Sequence, residues 1–179
     1  KMFFKSNIAN FSKASLILEN GDIFSGIGIG KKGKTIGEIC FNTSMTGYQE
    51  AITDPSYSSQ ILMFTFPHIG ITGTNKEDIE SKKIFLNGVI FRSISSNFSN
   101  WRGIDSLNNW LLKNNVIGIS NIDTRALTIK IRRLGALKAT IFNGVDSKSN
   151  YKEILNTTKK WSGIANLKKT KKVTCKNPY

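Results

Sequence analysis

Nucleophilic catalysis by a cysteine needs a thiolate, a histidine to deprotonate it and a carboxylate to orient the histidine. Two cysteines and one histidine are available in this sequence for that work. Cys40 lies inside the strand-like run Ile36 to Phe41 and reads as a small buried hydrophobe. Cys175 lies in a lysine-rich stretch with no glycine elbow around it. His68 sits in the turn Phe66-Pro67-His68-Ile69-Gly70, where a lone histidine reads as a hydrogen-bonded structural residue. The chain therefore carries no complete catalytic set, and hydrolysis by this segment alone is not expected. A single histidine also rules out the usual zinc sets built from Cys and His within the chain, and no resident cofactor or metal is expected.

The densest set of polar groups is Phe41 to Gln60, FNTSMTGYQEAITDPSYSSQ, which is too polar to be core. Within it Asp54-Pro55 would fix a turn that presents Ser56, and from the residues alone Ser56 reads as a turn serine bonding its own backbone, although its hydroxyl could also donate to a carboxylate or amide oxygen. Tyr48, Gln49, Glu50 and Arg125 read as scaffold, with an ion pair available to Glu50 and Arg125.

The elements that must position these groups follow from periodicity. Residues 14 to 19 form an apolar strand, and Asn20-Gly21 predicts a type I′ hairpin into a second strand from Asp22 to Gly30. Glycines in that strand predict a bulge or a close backbone approach. Gly26-Ile27-Gly28-Ile29-Gly30 has the wrong spacing for a dinucleotide loop and reads as strand. A third strand spans Thr35 to Phe41, a short helix Tyr48 to Ile52, and a strand buried on both faces Ser59 to Phe66. Asn75 is expected to cap an acidic helix from Lys76 to Ser81, with a strand from Ile84 to Phe91 and an ordered loop from Arg92 to Arg102. Asp105 is expected to cap a helix carrying Leu107, Trp110 and Leu111, before a strand from Val116 to Ile119. Asp123 caps another helix, with Leu127, Ile131 and Leu134 on one face and Gly135 closing it. A strand from Leu137 to Asn143 and a surface helix from Asn150 to Lys160 complete the set. Strands cluster early and alternate with helices later, which predicts an α/β or α+β domain of three layers with helices on a single side.

At 179 residues, with 39% hydrophobic and 21% charged residues, the composition is that of a globular domain plus a tail. No apolar run is long enough for a membrane span. The opening KMFFKSNIANFSK is basic but lacks the apolar core and cleavage site of a signal peptide. Two distant cysteines in unlike settings suit a reducing compartment, and the cytoplasm is expected. The net charge of +14 raises a rival reading, a basic module for nucleic acid or an acidic partner. Its densest patch, Lys168 to Lys176, has no interleaved aromatic to stack bases, so nucleic acid is not expected.

Four blocks give the sequence a family resemblance: FNTSMTGYQE with DPSY, PHIG, SNFSNWR (Ser96 to Arg102) and IDTRALT (Ile122 to Thr128). Together they resemble the amino-terminal domain of the small subunit of glutamine-dependent carbamoyl phosphate synthetase, from about Ser15 to Tyr179. Ile71 departs from the Asn common after PHIG, and Ala139 from a usual Gly. The resemblance implies a swivelling β/β/α fold with mixed sheets and helices on one side, a basic extension over 1–13, the domain proper over 14–160 and a connector over 161–179 towards a glutaminase domain that the sequence does not include. It implies that Ser56 helps hold glutamine at the domain boundary. The partners it implies are that glutaminase domain and a large subunit, where ammonia, bicarbonate and ATP with a divalent metal yield carbamoyl phosphate for arginine and pyrimidine synthesis. A structural remnant whose glutaminase has been lost is the remaining alternative.

Overall fold

A computed structural model describes residues 12–144 and 151–165. The strands are β1 (Lys13–Leu18), β2 (Ile23–Gly30), β3 (Gly33–Asn42), β4 (Gln60–Phe64), β5 (His68–Ile69), β6 (Gly88–Ile90), β7 (Ser93–Ile94), β8 (Ile117–Ser120) and β9 (Leu137–Asn143). The helices are α1 (Tyr48–Thr53), α2 (Leu107–Lys113), α3 (Thr124–Leu134) and α4 (Tyr151–Lys160), with a 3-10 turn at Pro55–Tyr57.

Seven strands close on themselves in the order β1-β2-β8-β6-β4-β3-β9, and β5 and β7 form a separate parallel pair. The β3–β4, β4–β6 and β6–β8 ladders are parallel, and the ladders involving β1, β2 and β9 are antiparallel. The mixed α/β character is as expected. Ring closure depends on β9 pairing with both β1 and β3, which leaves neither strand with an open edge. Helices also lie against more than one wall, α2 against β2 and β8 and α4 against β9 and β1, rather than on a single side.

β4 is buried on both faces, as its continuous apolar run predicts. Because side chains alternate along a strand, Ile61 and Met63 join an inner core with Leu16, Leu18, Ile90 and Ile141. Leu62 and Phe64 join an outer core with Ile52 of α1 and Leu107 and Leu111 of α2. Phe64 stacks on Phe91 at 5.2 Å between ring centroids.

The close backbone approach foreseen for the β2 glycines is present at Gly26, where a Cβ would lie 2.3 Å from Ser120 O, and at Gly28 a side chain takes the space instead. A Cβ at Gly28 would lie 1.7 Å from Asn143 Oδ1. That amide is buried and donates to Ile29 O at 2.9 Å and Lys31 O at 3.0 Å, while Ser12 Oγ donates to its oxygen at 2.6 Å. Position 28 thus gives its space to a side chain that ties β9 to β2.

Several local expectations are corrected. The β1–β2 hairpin forms, but only Gly21 has positive φ, and Leu18 O accepts from Gly21 N at 2.9 Å. This is a three-residue loop with glycine in the left-handed position, not a type I′ turn. No helix forms over Lys76 to Ser81. Asn75 Oδ1 does accept from the backbone N of Glu77 and Asp78, both at 2.8 Å, but the resulting side-chain turn competes with a helix instead of starting one. Ser106, not Asp105, caps α2, accepting from Asn109 N at 3.3 Å. The Asp105 carboxylate is engaged by Lys113 Nζ at 2.6 Å. Of the expected strand from Ile84 to Phe91 only Gly88–Ile90 is regular, since Ser59 N and Asn87 N bond irregularly to Phe85 O and Gln60 O. Leu134 is 58% exposed because α3 ends there and Gly135, at φ 82, turns the chain away, so only Leu127 and Ile131 reach the core. Asp123 caps α3 as expected, accepting from Ala126 N at 3.0 Å.

Candidate functional site

The polar segment from Phe41 to Gln60 is the crossover between two parallel neighbours, β3 and β4. A parallel pair needs such a connection, and here it carries α1 and the 3-10 turn. Gly47, at φ 75, lets the chain enter α1 directly from the loop. Asp54 is extended at φ −68 and ψ 121, the conformation that a following proline favours, and it ends α1.

The turn that carries Ser56 is held at several points. Asp54 Oδ1 accepts from Ser56 N at 2.8 Å, Tyr57 N donates to Asp54 O at 3.2 Å, and Ser58 N donates to Pro55 O at 3.0 Å. Gln60 Nε2 donates to Ser56 O at 3.3 Å. Asn42 Nδ2 donates to Tyr57 Oη at 3.4 Å and links the turn to β3. Both backbone polar groups of Ser56 are therefore engaged, while its side chain is exposed and its hydroxyl has no partner among the described residues. The bond to its own backbone that the residues alone suggest for this hydroxyl is not made among the described residues.

Where Ser56 lies in the barrel bears on its role. Gln60 pairs with Glu38 across the β3–β4 ladder. Gly163 sits against that same Glu38, where an added Cβ would come within 3.5 Å of its Oε1. The chain beyond α4 thus passes the end of the barrel that carries the Ser56 turn.

The other sequence candidates resolve as follows. Cys40 is half-buried, its Sγ is 3.8 Å from Ile61 O, and burial pushes its thiol up to about 12, so it is a neutral thiol near pH 7. His68 is exposed on β5, with Nδ1 3.2 Å from Ser93 Oγ, which in turn donates to Pro67 O at 2.7 Å. That arrangement fits the structural role expected of it. Cys175 lies outside the described residues. Among those residues no thiol faces an imidazole: Cys40 bonds to a backbone carbonyl and His68 to a serine.

Tyr48 and Gln49 are scaffold, as expected. Tyr48 Oη lies 2.8 Å from Thr72 Oγ1 and also donates to Gly73 O, and burial raises the phenol's pKa. Gln49 clamps Asn75 at two points, donating to its carbonyl at 2.6 Å and accepting from its amide at 2.9 Å. These bonds tie α1 to the 72–75 loop around a cavity of about 270 Å³ that Glu50 and Arg102 also line. The expected Glu50–Arg125 pair is absent among the described residues. Arg102 pairs instead with Glu77 at 3.0 Å and Asp78 at 2.8 Å. Arg125 lies in a different depression, about 710 Å³, beside Arg92 and Arg132. Sequence reading missed that convergence, although the i, i+7 spacing of Arg125 and Arg132 on one helix was a signal for it.

Comparison with known proteins follows the same pattern. The family described as "Carbamoyl-phosphate synthase small chain, CPSase domain" matches residues 16–141. The carbamoyl phosphate synthase small chain of Buchnera aphidicola subsp. Acyrthosiphon pisum is 48% identical over 166 residues, covering 93% of this chain and 42% of that protein. That of Vibrio parahaemolyticus is 45% identical over 168 residues, covering 93% and 43%. The chloroplastic small chain of Oryza sativa subsp. japonica is 42% identical over 168 residues, covering 94% and 37%. This chain thus spans less than half the length of these relatives.

Proposed function

The chain belongs to the carbamoyl phosphate synthase small-chain family, and from that premise we propose that it serves as the non-catalytic portion of a glutamine-dependent carbamoyl phosphate synthase. In this reading a glutaminase domain supplies the nucleophile and base, and this chain supplies one substrate contact, the Ser56 hydroxyl. A large chain holds ATP and its divalent metal and combines the released ammonia with bicarbonate. Residues 161–179 act as the connector towards the glutaminase domain, and the complex works in the cytoplasm. No described helix is long and apolar enough to cross a membrane. The two walls of the closed barrel stand for the two β layers of a swivelling β/β/α domain, with α1 and α2 as the third layer.

The observation that carries this reading is the state of Ser56. Its hydroxyl is exposed and has no partner among the described residues, on a turn whose own backbone is bonded, at the end of the barrel that the chain passes after α4. A fixed, unpaired donor suits recognition of a carboxylate or amide oxygen presented by a neighbouring domain. The general basic-module alternative has no comparable support among the described residues. The test is Ser56→Ala in the full small chain assembled with its large chain: glutamine-dependent synthesis should weaken while ammonia-dependent synthesis is retained.

A further inference from the structure

Arg125 and Arg132 stand seven residues apart on α3, two turns and about 10 Å along one face. Thr128 and Ile129 lie between them on the same face, opposite the buried Leu127 and Ile131. Arg92 reaches the same depression from the loop after β6, held beside the β8–α3 connection because Asn121 N donates to its carbonyl at 3.0 Å. The Arg132 guanidinium sits over the Phe41 ring, 5.9 Å from its centroid, in a cation–π contact. All three arginines are exposed, and none has a carboxylate partner among the described residues. Asp123, the one carboxylate lining the depression, already caps α3 through Ala126 N.

Unpaired guanidinium forks, a hydroxyl and the half-exposed Ile129 suit a peptide bearing carboxylates better than a single small anion. At about 710 Å³ the depression is also too long and open for one phosphate. In an extended chain of polyproline-II form, with three residues per turn and a rise of about 3.1 Å, carboxylates at i and i+3 share one face about 9 Å apart, close to the arginine spacing. Position then selects the partner. Thr65 and Pro67, just past the end of β4, line this depression, whereas Ser56 lies before the start of β4. If the Ser56 end faces the glutaminase domain, the opposite end of β4 is left for the other chain.

We propose that the face formed by Arg92, Arg125 and Arg132 docks an extended acidic segment of the large chain, with two carboxylates about 10 Å apart seated on Arg125 and Arg132. The proposal rests on the preceding reading that the chain assembles with such a partner. The experiment measures the dissociation constant between full-length small and large chains by sedimentation velocity at about 50 and 300 mM salt. The Arg125→Glu/Arg132→Glu variant should raise it by about 30-fold or more at low salt and flatten its salt dependence. Arg133→Glu, an exposed neighbour outside the depression, should change it less than about two-fold on the same reasoning. Circular dichroism checks folding, and Arg125→Gln/Arg132→Gln replaces the reversal if that variant is unfolded. Unchanged affinity and salt slope in a wild-type-like fold would overturn the docking proposal and leave the Ser56 reading standing. An equal loss with Arg133→Glu would also overturn it, by showing that only net charge matters. Failure of the wild-type chains to associate at all would instead overturn the assembly reading itself.

Discussion

The Asp54 carboxylate does not touch any ligand in this account, yet it should govern how well Ser56 does. Its Oδ1 accepts from Ser56 N at 2.8 Å and caps the 3-10 turn, and Pro55 sits just inside that turn. Replacing a capping Asp by Ala costs about 1 kcal/mol, within a range of roughly 0.5–2 kcal/mol. If the whole cost falls on the presented turn, the equilibrium holding Ser56 in place shifts by about five-fold, and its population falls and the KM for glutamine rises by no more than that. The kcat for ammonia-dependent synthesis should stay unchanged, and the melting temperature should fall by about 2–4 °C for a chain of this size. Asp54→Asn keeps a capping oxygen and should recover most of the loss, because Asn caps about as well as Asp. Steady-state kinetics with glutamine and with ammonia on the assembled enzyme, beside thermal melts, would read each quantity. A normal glutamine KM in Asp54→Ala would refute the argument, since Pro55 and the remaining turn bonds would then suffice. Equal losses in Asp54→Ala and Asp54→Asn would show that charge, not the cap, is what matters.

Two further experiments test the scaffold. Gly28→Ala should destabilise the fold by about 3 kcal/mol, because the new methyl enters the space of Asn143 Oδ1. In a denaturant-based double-mutant cycle, Gly28→Ala/Asn143→Ala should cost less than the sum of the two single changes; strict additivity would show that the clash is relieved elsewhere. In a Cys175→Ser background, Cys40 should resist iodoacetamide at pH 8, reacting about 1000-fold more slowly than an ordinary thiol because its pKa is raised to about 12 from 9.0. Alkylation at the rate of a free thiol would show that Cys40 is not held in its half-buried setting.

What the sequence made legible was short-range. The run QILMF announced a strand buried on both faces, and Asp123 with Leu127 and Ile131 announced α3, because these signals depend on neighbours a few residues away. The 76–81 helix failed as an expectation because an Asn75 that bonds two following amides looks the same from sequence whether it starts a helix or closes a turn. Asp105 lost the cap of α2 to Ser106 because Lys113, a helix length away, holds its carboxylate. Ring closure was beyond reach for the same reason on a larger scale: β9 pairs with β3 from Gly33↔Asn143 to Ile39↔Leu137, and no local pattern specifies such a distant ladder. The site divided likewise. The Asp-Pro turn could be read directly and Ser56 was reached through the family resemblance, whereas the arginine face needs Arg92 to arrive from another part of the fold.

The most direct measurement is the ratio of glutamine-dependent to ammonia-dependent carbamoyl phosphate synthesis in Ser56→Ala, made in the full small chain assembled with its large chain. Loss of one hydrogen bond to a charged or strongly polar substrate group, about 1.5–3 kcal/mol, predicts a fall of roughly 10- to 100-fold in kcat/KM for glutamine with the ammonia reaction unchanged. Unaltered glutamine kinetics, or an equal loss in both reactions, would contradict the role given to Ser56.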